Sequence, residues 1–387
     1  MGGHDAQVKT WEGPRALTAA AGSYTVACHY ERVDLYTNLT SATIAAAFAI
    51  AAVTHQGAAQ RAANPSQLCG TQGQVQLFCG PSRSEDLVAI PKTPWILASA
   101  IGGGVHVIDT RNKTSVQLYP SPTAKERLDK TRFPTCRAAP DAAEKASFTT
   151  LGLSIRLGAR RVHTLYAIRY PTVSRVQVFE LDVRGEQPSV TWIGCVDAPA
   201  DTILLNSLVP MPDGGFVTTH FYERGPNAAA ARERAVAGEL TGWLLRWHPR
   251  TGWSKIAGSD TSGPNGIEIS HDARWLYVSE WGRSTFYRTR LNGDASKRES
   301  IQLDFRPDNV HWASDGMLLV GGATDTDSRV VKIDPRTLKA TEVVRLPDGA
   351  KQFFHASVAA EVGNEIWLGS ARADRLAIYP LPPMISR

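Results

Sequence analysis

One strand–turn–strand unit recurs along this sequence, and it limits the folds open to the chain more than any other feature. One copy reads Asn265-Gly266-Ile267-Glu268-Ile269-Ser270, a turn at His271-Asp272, then Trp275-Leu276-Tyr277-Val278-Ser279. A second runs from Asp308-Asn309-Val310-His311-Trp312 through Ser314-Asp315-Gly316 to Met317-Leu318-Leu319-Val320. A third begins at Asn206-Ser207-Leu208-Val209 and returns as Phe216-Val217-Thr218-Thr219. A fourth opens with Glu85-Asp86-Leu87-Val88 and returns as Trp95-Ile96-Leu97-Ala98. Weaker copies start at Thr150-Leu151-Gly152 and at His355-Ala356-Ser357. The six copies lie roughly 45–65 residues apart, the spacing of propeller blades with variable loops. Apolar residues alternate instead of recurring every 3.6 positions, which excludes a helical solenoid. The expected fold is all-β: a six-bladed β-propeller of four-stranded blades around a central metal-binding channel.

The expected organisation is a leader over 1–60, a connecting segment over 61–80, and the propeller over 81–387. The run Ala42 to Val53 carries no charge and is too short to span a membrane, which needs about 20 apolar residues. With Gly57-Ala58-Ala59 behind it, segment 40–60 reads as a secretory signal placed unusually far from residue 1. A short buried helix or a disordered leader is the alternative. Five cysteines occur, at 28, 69, 79, 136 and 195. Cleavage after the signal would leave four, with Cys69–Cys79 and Cys136–Cys195 as candidate pairs; sequence alone leaves scattered thiols equally open. The expected location is periplasmic or secreted, with the cytoplasm as the alternative. A net charge of +5, without a Lys/Arg block of five, makes nucleic acid an unexpected partner.

In a propeller, corresponding positions of the inner strands point at one axis. That column reads Glu85, Leu151 (or Thr150), Asn206, Asn265, Asp308 and His355. Two carboxylates at close range would repel one another and raise a pKa, and a divalent ion removes that cost. Carboxamide oxygens complete a hard oxygen shell without further charge, so calcium suits the set. Zinc does not, because no His/Cys cluster shares the column. A nucleophilic serine elbow, an HExxH motif and a phosphate-binding loop around Gly102-Gly103-Gly104 are all missing from the sequence.

Four stretches, Ser84-Glu85-Asp86-Leu87, Asn206-Ser207-Leu208-Val209, Pro264-Asn265-Gly266-Ile267-Glu268-Ile269-Ser270 and Asp308-Asn309-Val310, resemble one known superfamily. It comprises senescence marker protein/gluconolactonase, serum paraoxonase and strictosidine synthase, and the similarity covers about residues 80–385. The resemblance implies lactonase or arylesterase activity, with Glu85, Asn206, Asn265 and Asp308 as calcium ligands and Asn309 as an added ligand of the paraoxonase type. Asp86 looks like the residue that serves a second, structural calcium in paraoxonases. Its usual aspartate companion is Ser207 here, so a second ion is not expected. The paraoxonase His dyad is replaced by Leu151 and Tyr170, and its mechanism cannot be transferred.

The reading is therefore a calcium-dependent hydrolase of lactones or aryl and carboxylic esters, with a small-molecule substrate. Asp308 is the first choice of general base and Glu85 the second. His220, Tyr222, His355 and Tyr170 are the expected substrate-binding residues. Trp281 is either a substrate wall or packing between blades, and 228–239 is expected to form a short surface helix at the pocket mouth. The alternatives are a non-catalytic binding propeller, or a lyase, isomerase or phosphotriesterase built on the same metal site.

Overall fold

The computed structural model describes residues 69–170, 174–347 and 353–381. Segment 1–60, including the signal-like run, lies outside the described residues. Six antiparallel sheets are present, in chain-local order for the first five. Their inner strands are Leu87–Ala89, Thr149–Arg156, Ile203–Pro210, Pro264–Ile269, Arg306–Trp312 and Val358–Val362. Each inner strand contacts the next, and Val358–Val362 contacts Leu87–Ala89 to close the ring. This is the six-bladed β-propeller expected from the repeat.

Sequence pattern explains the layering within a blade. The second strand of the first blade, Trp95–Ala100, is buried along nearly its whole length because blades stack on both of its faces. The outermost strand, Thr114–Tyr119, leaves Thr114, Val116 and Gln117 exposed and buries only its last two residues. Blades adhere through apolar clusters such as Val209, Met211, Val217 and Leu244 of the third against Ile267, Leu276, Val278 and Tyr287 of the fourth. Each such side chain contributes roughly 1.5–3 kcal/mol by leaving water.

The sixth blade differs from the expected organisation. Segment 61–80 is not merely a connection: Gly70–Gln72 and Val75–Phe78 are strands of that blade. Val75–Phe78 pairs antiparallel with Leu376–Pro380, so the two ends of the described chain share one sheet. This pairing covers the outer edge of Leu376–Pro380 and joins the two ends of the ring within one blade. The second blade gains a fifth, short strand, Lys125–Glu126, pairing parallel with Ser189–Asp197.

Both candidate disulfides are present. Cys69–Cys79 ties the hairpin that closes the sixth blade. Cys136–Cys195 joins the loop after the first blade to the outer strand of the second, with Cα atoms 5.1 Å apart. The expected helix at the pocket mouth is Ala228–Val236, which buries Ala231 and Ala235. Among the described residues, no helix is long and apolar enough to cross a membrane.

Candidate functional site

The column sits where the inner strands break their regular pairing. Register shifts fall between Thr150 and Leu153, Leu205 and Leu208, Pro264 and Ile267, and Pro307 and Val310. A bulge re-aims the side chain it carries. These four bulges hold Leu151, Asn206, Asn265, and Asp308 with Asn309. Glu85 lies two residues ahead of the first inner strand and is buried.

Glycines let the strands approach at this level. An added Cβ on Gly152 would stand 2.8 Å from Ser207 Cα, and one on Gly266 would stand 2.7 Å from Asn309 Cα. Hydroxyl groups then stitch neighbouring blades together. Thr219 Oγ1 donates to the Asn265 carbonyl at 2.8 Å, and Ser357 Oγ donates to the Glu85 carbonyl at 2.7 Å. Asn309 Nδ2 donates to Glu85 Oε1 at 2.9 Å and to the Glu85 carbonyl at 3.0 Å.

After these bonds are made, each of the five residues keeps one buried oxygen without a hydrogen-bond partner. They are Glu85 Oε2, Asn206 Oδ1, Asn265 Oδ1, Asp308 Oδ1 and Asn309 Oδ1. A buried acceptor left unsatisfied costs about 1–3 kcal/mol, so five in one place require a common explanation. Two carboxylates and three carboxamide oxygens make a donor set that suits a hard cation. Among the described residues, no group of three or more His, Cys, Asp or Glu could hold a metal; carboxamides complete this set instead. Burial, reinforced by Asp308 and Asp86, pushes Glu85 well above the usual carboxylate range. Burial and the Asp86 charge likewise push Asp308 up to about 8. A cation would reverse both shifts.

Asp86 plays a different part from its neighbour. Its carboxylate accepts from Leu87 N–H at 2.9 Å and from Leu153 N–H at 2.7 Å, and it faces His311 Nε2 at 2.7 Å. Protein groups therefore already occupy the carboxylate that resembles a second calcium ligand. His311 Nδ1 lies 3.9 Å from Glu268 Oε2, and burial pushes Glu268 up to about 7. Beyond them a cavity of about 360 Å³ opens, lined by Met211, Trp312 and Glu361 among others.

On the candidate side, a cavity of about 240 Å³ reaches Glu85, Asn206, Asn265 and Asp308. Tyr170, Tyr222 and His355 line it, as expected, together with Leu151, Phe221 and Trp281. His355 holds a left-handed backbone, φ 57°, a conformation uncommon for a non-glycine residue. His220 is the correction. It lies inside the strand Phe216–Glu223, only 2 % exposed, and does not line the cavity. Its Nδ1 accepts from Leu204 N–H at 3.2 Å, its ring meets Trp243 edge-on at 4.3 Å, and burial pushes its pKa down to about 4. Arg232, on the mouth helix, and Arg372 line the cavity and carry no sequence motif that would have singled them out.

Fold and oxygen column together define a gluconolactonase-like six-bladed propeller. Residues 172–354 match the family described as SMP-30/gluconolactonase/LRE-like region, in agreement with the superfamily the motifs of this chain resemble. The match includes Asn206, Asn265, Asp308 and Asn309. A solved structure of a candidate gluconolactonase is similar at 14% identity and TM-score 0.50, covering 82% of this chain and 96% of that one. A luciferin-regenerating enzyme is similar at 13% identity and TM-score 0.50, covering 79% and 94%. At such identities the likeness speaks for the fold. No curated protein matches the sequence.

Proposed function

We propose that this protein is a calcium-dependent hydrolase of lactones or of aryl and carboxylic esters. The observation that carries the reading is the set of five unpartnered buried oxygens, on Glu85, Asn206, Asn265, Asp308 and Asn309. These residues would hold the ion. A calcium ion bound there would supply Lewis acidity, polarising a substrate carbonyl and acidifying water.

The remaining steps belong to the chain's own groups. The carboxylate of Asp308 accepts the proton of the attacking water as its oxygen adds to the carbonyl carbon. When the acyl C–O bond breaks, that proton passes to the leaving alkoxide. Glu85 is the second candidate for this task. Leu151, Phe221 and Trp281 give the cavity apolar walls, while Tyr170, Tyr222 and His355 add polar groups able to orient a substrate. Asp86, already bonded to His311 and two backbone amides, is assigned a structural role without a second ion.

A second reading has its own support. Leu151 and Tyr170 line the cavity where the paraoxonase resemblance would place histidines, which fits a propeller that binds without turnover, or a different metal-assisted reaction. The two disulfides favour a periplasmic or secreted protein.

The test is hydrolysis of δ-valerolactone, a long-chain γ-lactone and phenyl acetate, with calcium and with chelator, alongside Asn265→Ala and Asp308→Ala. Calcium-dependent turnover that both substitutions abolish is expected. Tight calcium binding without turnover on a widened panel would favour the binding reading. Absence of calcium binding would remove the basis of both.

A further inference from the structure

A second cavity of about 420 Å³ adjoins the candidate site, and Arg232, Trp281, Asp308, His355 and Arg372 line both. Arg306 enters from the fifth inner strand, so three guanidinium groups border one space. Among the described residues, none of the three side chains has a salt bridge or a hydrogen bond, although the Arg372 charge acts on Asp308 at longer range. Two of them are organised by one ring: the guanidinium carbons of Arg306 and Arg232 lie 4.7 Å and 5.3 Å from the Trp281 centroid. Cation–π contact holds a guanidinium without consuming its N–H donors.

Two carboxylates outside the oxygen column also border this cavity. Asp304 is engaged by Arg329 at 3.0 Å, and Asp325 is exposed. Glu85 and Asp308 would be balanced by a divalent ion. Three arginines then face one uncommitted carboxylate, Asp325, and the cavity is left with an excess of positive charge beside the reacting centre. Like charges gathered without compensation are unfavourable unless a ligand supplies the counter-charge. Planar guanidinium forks suit carboxylate, sulfate and phosphate oxygens.

We propose that Arg232, Arg306 and Arg372 form an oxyanion-binding subsite, so that the substrate is an ester or lactone bearing a compact anionic group. This rests on the hydrolase reading for the word substrate, but not for the anion site itself. The group engages the arginines beside Trp281 while the carbonyl faces the oxygen column. Trp281 thus acts as a positioning residue.

The experiment uses the full chain with saturating calcium. Calorimetry measures binding of 2-hydroxyglutarate, inorganic sulfate and inorganic phosphate to the parent, to Arg306→Gln/Arg372→Gln and to Arg232→Gln. The ratio of kcat/KM for 5-oxotetrahydrofuran-2-carboxylate over γ-butyrolactone is measured in parallel. The calcium affinity of each variant reports whether its site is intact. At least one anion should bind at 1:1, weakening about tenfold or more in the double variant, with the kcat/KM ratio falling toward one. The anion bound most tightly identifies the source. Anion binding lost in the variants, with no lactone turned over, supports the subsite and counts against the hydrolase. Turnover of neutral lactone with no anion binding, or with binding indifferent to the substitutions, overturns the subsite and leaves the hydrolase standing. Trp281→Leu separates positioning from packing: it should lower anion affinity, and Trp281→Phe should restore part of it. Equal affinities in both would remove the ring from the account.

Discussion

Gly266 packs so closely on the next blade that a Cβ there would stand 2.5 Å from the Asp308 carbonyl oxygen. The residue behind one carboxamide of the column thereby sets the position of a carboxylate 42 residues later. Gly266→Ala must push the Asp308-Asn309 bulge outward, because the obstacle is backbone and cannot rotate away. Overpacking of this kind costs about 1–3 kcal/mol. Displacing a ligand's support typically lowers metal affinity about 10–100-fold. Calcium titration and thermal melting of the variant should show both losses; an unchanged affinity would separate Gly266 from the site.

Asp308→Asn should change stability in opposite directions with and without calcium. In chelator the substitution removes a buried carboxyl group crowded by Glu85 and Asp86, which should stabilise the fold by on the order of 1 kcal/mol. In calcium it removes a charge from the ligand set, so the calcium-induced rise in Tm should shrink. Turnover should fall about 10²–10⁴-fold if Asp308 is the general base. Melting curves in the two buffers, read beside the rates, test the two roles separately.

The same carboxyl groups predict an unusual pH dependence. Burial and neighbouring charge raise Asp308 to about 8 and raise Glu85 in the same direction. A carboxyl group whose folded pKa lies above its unfolded value near 4 binds its proton more tightly when folded. Its contribution is fully present below the unfolded pKa and is lost as pH rises through the folded one. Calcium-free protein should therefore lose stability between about pH 4 and pH 8. Calcium-loaded protein should not, and the gap in Tm should widen with pH. A gap that stays constant over this window would contradict the buried-carboxylate account.

The oxygen column was legible because it repeats. Asn206, Asn265 and Asp308 stand at corresponding points of similar strands, and a closed ring turns sequence repetition into convergence. The sixth blade was less legible. Its outer strands Val75–Phe78 and Gly70–Gln72 come from the other end of the described chain, so no local spacing ties them to Leu376–Pro380. His220 was misplaced for a different reason. Its strand continues to Glu223 instead of ending at Thr219, which puts the imidazole opposite Trp243 within the sheet. Arg232, Arg306 and Arg372 lie on a helix, an inner-strand start and a loop, and only the folded ring brings them to one cavity.

His311 should matter for stability through Asp86. The Asp86 side chain is fully buried, and His311 Nε2 at 2.7 Å is its only side-chain partner at hydrogen-bond distance among the described residues. His311→Leu leaves that carboxylate oxygen with the Leu87 amide alone, at a cost of about 1–3 kcal/mol. His311→Gln can still donate from its amide and should recover part of the loss. Denaturant unfolding in calcium should rank parent, Gln and Leu in that order. Equal stability of the Gln and Leu variants would show that packing, not the hydrogen bond, is what His311 provides.

Reduction should weaken the ring at one seam. Cys136–Cys195 spans 59 residues and fastens the loop after the first blade to the outer strand Ser189–Asp197. Closing a loop of that length restricts the unfolded chain by about 4 kcal/mol in the entropic account. Cys195 is buried in the same apolar cluster as Phe133 and Trp192, so it also belongs to the core around the second blade. Cys136→Ala/Cys195→Ala should therefore lower stability by roughly 2–5 kcal/mol. The calcium affinity should be unaffected, because neither cysteine lines the site. Cys69–Cys79 closes a span of only 10 residues, so Cys69→Ala/Cys79→Ala should cost less. Its loss should show first as protease cleavage near the closing hairpin, where the last blade is joined. Melting with and without reductant, followed by limited proteolysis, measures both effects; if the short-span pair proved costlier, the closing hairpin would be the weaker seam.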